Sequence, residues 1–90
     1  MSDGRLWVAM VNDRHHDPTA HVFSTPEAAI AFARQHYEDN LPDQLDQAQR
    51  HASGIGEQQV EGWLYCAVYS VEDDAVWVYE VTVDVPVGEA

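Results

Sequence analysis

Ninety residues carry sixteen Asp and Glu against four Arg and no lysine, a formal net charge of −12, and 46% of them are apolar. So short a chain holds one core, which predicts a single domain over residues 1–90, and its apolar content excludes a disordered acidic tail. Four scattered arginines (Arg5, Arg14, Arg34, Arg50) cannot track phosphates, so no direct nucleic-acid partner and no membrane partner is expected.

No apolar run approaches the ~20 residues that span a bilayer. The MSDGR start lacks a charged region followed by an apolar one, and the lone Cys66 cannot form an internal disulfide. These features predict a cytoplasmic protein. The use of arginine without lysine fits a GC-rich bacterial genome.

Along the chain, Arg5 to Asn12 (RLWVAMVN) reads as a strand, with Leu6, Val8 and Met10 on one face and Trp7, Ala9 and Val11 on the other. Both faces are apolar, which predicts a central position. Asn12 to Ala20 (NDRHHDPTA) is a polar loop, and His21 to Ser24 a short returning strand. Thr25-Pro26-Glu27 is the sharpest helix start in the chain. It offers a capping oxygen, a proline where no N–H is needed, and a negative charge at the positive end of the dipole. The helix runs on through AAIAFARQHYED. Ala28, Ala29, Ile30, Phe32, Ala33, His36 and Tyr37 share its apolar arc, and Phe32 and Tyr37 are expected to bury most area.

Pro42 to Ala52 predicts a second, shorter and marginal helix on the narrow stripe Leu41, Leu45, Ala48, Ala52. Glu57 to Glu61 reads as a polar lead-in. Gly62–Ser70 and Ala75–Val85 are the two best strands, joined by a turn at Val71-Glu72-Asp73-Asp74. The fold class is therefore α+β: a mainly antiparallel four-stranded sheet in the order β-β-α-(α)-β-β, with the main helix on one face.

The last hairpin has two readings. A loop at Asp73-Asp74 puts Leu64, Cys66 and Val68 beside Trp77, Tyr79 and Val81, with Trp63, Tyr65 and Tyr69 opposite. A three-residue loop puts Trp63, Tyr65 and Tyr69 on the face of Trp77 and Tyr79. In both, the face away from the helix keeps large apolar groups.

Those aromatic residues, Trp63, Tyr65, Tyr69, Trp77 and Tyr79, are the candidate interface, since Tyr and Trp are enriched at binding hot spots. Candidate metal ligands crowd the first loop, where His15, His16, Asp17 and His21 follow Asp13; imidazole and carboxylate suit a first-row divalent ion, but the spacing matches no zinc motif. No cofactor is expected. His36 on the apolar arc reads as a core-edge histidine and Cys66 as a small buried apolar residue. No acid–base or nucleophile–base pair can be named, so an enzyme is the least favoured class. The leading expectation is a small acidic binding domain, homodimeric through its sheet and acting on a protein partner. A metal- or small-ligand-binding domain using the His15/His16/His21 loop comes second. An acidic nucleic-acid mimic that binds a basic protein comes third.

Overall fold

A long central ladder organises the molecule. In the computed structural model, which describes residues 4–15, 17–72 and 74–82, β1 (Arg5–Asn12) pairs antiparallel along its whole length with the last strand, from Arg5↔Thr82 to Asn12↔Ala75. On its other side β1 pairs with β2 (Thr19–Phe23). After β2 come α1 (Pro26–Asp39), α2 (Gln47–Ala52), β3 (Gly56–Gln58), β4 (Tyr65–Val68) and β5 (Ala75–Thr82), and the sheet order is β2-β1-β5-β4-β3. The α+β class and the antiparallel sheet are those the sequence predicts.

The strand count is not. Five strands form where four were expected, because Gly56–Gln58 pairs with β4 through Gly56↔Val68, Glu57↔Ala67 and Gln58↔Cys66. The segment has no apolar alternation to announce it. Its backbone is recruited by the free edge of β4, and its side-chain anchor is Glu57, which accepts from Tyr65 Oη at 2.6 Å and from Arg34 Nε at 3.4 Å.

α1 starts as predicted. Thr25 is extended (φ −136°, ψ 150°) and its hydroxyl accepts from the Ala28 amide at 3.2 Å, with Pro26 in the first turn. The helix lies on the face carrying Ala9, Val11, Tyr65, Ala67, Val76 and Val78. Its fully buried residues are Ala29 and Ala33, whereas Phe32 and Tyr37 are only partly buried at the margin. Small side chains thus bring the backbone close to the sheet, and the two rings flank the contact rather than fill it.

α2 is shorter than the expected Pro42–Ala52. It begins at Gln47 because Asp46 caps it: Asp46 Oδ1 accepts from the Gln49 amide, and Gln49 Oε1 accepts from the Asp46 amide, each at 2.8 Å. This reciprocal box satisfies two orphan donors and outcompetes Pro42 as a start. No residue of α2 is buried, as its narrow stripe suggests.

The β4–β5 hairpin resolves the two register readings. Ala75 pairs with Val68 rather than with Glu72. The displacement from an Asp73-Asp74 loop is even, so Cys66 and Val68 keep the face of Trp77, Tyr79 and Val81. Leu64 does not follow the alternation: its amide donates to the carbonyl of Val78, the residue that pairs with Tyr65, and it lines a hollow with Arg34, Glu57 and Tyr65. Asp73 itself and the expected strand end at Val83–Val85 lie outside the described residues.

Candidate functional site

The sheet has two unlike faces. α1 covers the first. The second carries Leu6, Val8, Met10, Val22, Cys66, Val68, Trp77, Tyr79 and Val81, as fixed by the cross-strand partners Leu6↔Val81, Val8↔Tyr79, Met10↔Trp77, Val8↔Val22, Cys66↔Trp77 and Val68↔Ala75. None of these nine residues is charged. Val8 and Cys66 are buried within this face, while Val22 and Trp63 are 59% and 39% exposed. No described helix packs there: α1 lies on the opposite face and α2 buries none of its residues.

Trp63 reaches this face by an unexpected route. It precedes β4, and its amide donates to the Val60 carbonyl at 3.1 Å, closing a turn with Gly62 at φ +91°. That left-handed conformation is open to glycine at little cost and suits the third position of a type II turn. The turn takes Trp63 out of the strand alternation and stacks its ring on Trp77, with centroids 5.2 Å apart and planes 16° from parallel. Of the five expected interface aromatics, Trp63, Trp77 and Tyr79 therefore share the open face.

Tyr65 and Tyr69 do not. They lie beneath α1 at 8% and 2% exposure. Both are held by carboxylates: Tyr65 Oη donates to Glu57, and Tyr69 Oη donates to Asp13 Oδ2 at 2.8 Å. Burial, reinforced by these acceptors, pushes both phenols well above their ordinary range. They are core residues with anchored hydroxyls.

At one end of the sheet the first loop meets the last hairpin. Asp13 and Asp74 continue β1 and β5 past their last ladder pair, Asn12↔Ala75, and so face each other. Both are buried, at 9% and 5% exposure. Asp13 Oδ1 accepts from the His15 amide at 2.9 Å, Asp74 Oδ1 from the Arg14 amide at 2.8 Å, and Asp74 Oδ2 from the Ser70 hydroxyl at 2.9 Å. Ligand-capable atoms of Asp13, His15 and Asp74 all lie within 4.8 Å of one another.

The expected histidine loop is thus divided. His15 joins this group. Asp17 is exposed and outside it. His21 belongs to β2, where its ring packs 4.5 Å from that of Phe32 and its Nε2 lies 3.3 Å from Thr19 Oγ1. His16 lies outside the described residues. Asp74, read from sequence as turn chemistry, is the residue that spacing could not find, since it is distant in the chain from Asp13 and only the β1–β5 register joins them.

His36 sits behind Tyr69. Its Nε2 is 3.3 Å from the phenol oxygen, and its ring meets that of Tyr69 edge-on with centroids 5.2 Å apart. Because the phenol proton is committed to Asp13, the imidazole is the donor in this contact. Burial lowers the His36 pKa from its ordinary value, against opposing pulls from Asp13 and Asp39. Burial likewise pushes the Cys66 thiol up, away from the nucleophilic thiolate. An open cleft of about 1000 Å³ between α1, α2 and β3 is lined by Tyr37, Arg50, His51 and Glu57 among others; Arg50 within it is engaged with the Leu45 carbonyl.

No family model matches the chain, and no curated protein or solved structure matches it either. Function must therefore be argued from the geometry. No described helix is long and apolar enough to cross a membrane.

Proposed function

We propose that this chain is a small acidic interaction domain that self-associates through the second face of its sheet. One observation carries the reading: a strongly acidic chain keeps an uncharged apolar face with Trp63 and Val22 substantially exposed and Trp77 and Tyr79 half-buried. A contiguous exposed apolar patch on a monomer is often functional, and burying apolar surface returns ~25 cal/mol for each Å². A second copy suits this face because, among the described residues, the acids stand elsewhere, so the two uncharged surfaces meet without burying carboxylates against each other. The stacked Trp63–Trp77 pair supplies the kind of rigid aromatic anchor that dominates binding energy.

Sedimentation equilibrium of the full chain tests this reading. Two chains of charge −12 repel, and salt screens that repulsion, so the dimer should hold or strengthen as salt rises. Trp77→Glu should raise the dissociation constant more than tenfold, since an interfacial anchor is replaced by an unpaired charge. A wild-type monomer at high micromolar concentration across all salt concentrations would refute self-association.

A further inference from the structure

We propose that Asp13, His15 and Asp74 bind one divalent first-row transition ion at the end of the sheet. This inference does not rest on self-association, and it uses a donor set that the sequence pattern alone does not assemble.

The two carboxylates are placed by the most rigid part of the molecule. Asn12↔Ala75 is the last pair of the eight-pair β1–β5 ladder, and Asp13 and Asp74 are the next residues outward on each strand. Antiparallel pairing aims both side chains to the same face, some 5 Å apart at Cβ. Like charges directly opposite one another are unfavourable, and more so when buried. A dication between them reverses the sign of that interaction.

The ligand chemistry fits an ion of intermediate softness. Two carboxylate oxygens and one imidazole nitrogen suit Zn²⁺ or Mn²⁺, and three protein donors leave coordination positions for water. Mg²⁺ and Ca²⁺ prefer all-oxygen sets. The exposed His15 stands at the mouth and the buried acids below it, which gives an ion a route in.

The surrounding hydroxyls orient the donors as a metal site requires. Tyr69 Oη holds Asp13 Oδ2, and Ser70 Oγ holds Asp74 Oδ2. Backbone amides of His15 and Arg14 hold the other oxygen of each. Outer partners of this kind usually fix the direction of a ligating carboxylate. Tyr69 is itself backed by His36, so the positioning network reaches α1.

The test uses the full chain without a histidine tag, with Zn²⁺ and Mn²⁺ as probes and Mg²⁺ as comparison. Native mass spectrometry and thermal denaturation should show one Zn²⁺ per chain and a raised midpoint, with no such rise for Mg²⁺. Asp74→Asn should weaken Zn²⁺ binding at least tenfold. His15→Ala should do the same, and because His15 is exposed its removal leaves the fold measurable by circular dichroism. His21→Ala should leave the affinity unchanged. The proposal is overturned if wild-type protein takes up no stoichiometric ion, if His15→Ala binds as tightly as wild type, or if His21→Ala loses as much, the mark of adventitious histidine binding.

Discussion

The two faces of the sheet are built from the same residue types and end in opposite states. On the first, Val76 and Val78 meet Ala29 and Ala33 of α1, and all four are fully buried. On the second, Met10, Trp77 and Tyr79 stand half-buried, and no described helix covers them. Hydrophobicity does not separate these faces. What separates them is that one helix with two alanines at its contact line can approach one side closely, and the described residues hold no second helix of comparable apolar width.

The largest expected effect enlarges a side chain on the covered face. Ala33→Leu has no space between α1 and the sheet and should cost about 3 kcal/mol by overpacking. Val22→Leu, a similar enlargement at a site 59% exposed, should stay within about 0.5 kcal/mol of wild type. Urea denaturation of both variants checks the pair; equal losses would mean that the second face is as tightly filled as the first.

A smaller effect loosens the covering helix without touching the core. Thr25→Ala removes the acceptor for the Ala28 amide and should lower stability by about 1 kcal/mol. Hydrogen exchange should rise in the first turn of α1 before it rises in β1 or β5. An unchanged denaturation midpoint would show that the covered face does not depend on the cap.

The smallest effect is a pH dependence confined to the covered side. Burial lowers His36 in the folded state, against the pull of Asp13 and Asp39. The unfolded chain, with an ordinary histidine near ~6.5, then takes up the proton first as pH falls. Stability is therefore complete above ~6.5, declines as pH falls through the folded value, and levels off below it. His36→Gln should flatten this part of the stability profile; a variant that keeps the same slope would place the titration elsewhere.

Some of this organisation is legible in the residues themselves. Thr25-Pro26-Glu27 carries its own capping chemistry, so the start of α1 follows from neighbours in sequence. RLWVAMVN is apolar on both faces, and it sits second in a five-stranded sheet with neighbours on both sides. By contrast, β3 is three polar residues whose strand character comes from the edge of β4 and from Tyr65 reaching Glu57. The expected interface shows the same division. Alternation correctly groups Trp77 with Tyr79, but a glycine turn lifts Trp63 out of the pattern and α1 covers Tyr65 and Tyr69.

The sequence by itself determined the local elements: the capped helix, the long apolar strands, the even alternation of their side chains, and an acidic chain with too few helices for two apolar faces. Only the tertiary structure decided which face α1 would cover and that Asp13 would stand opposite Asp74. The physical reason is that alternation defines two faces without ranking them, and ladder register joins residues far apart in the chain. Covering and register are settled by close backbone approach and strand pairing, which no local spacing encodes.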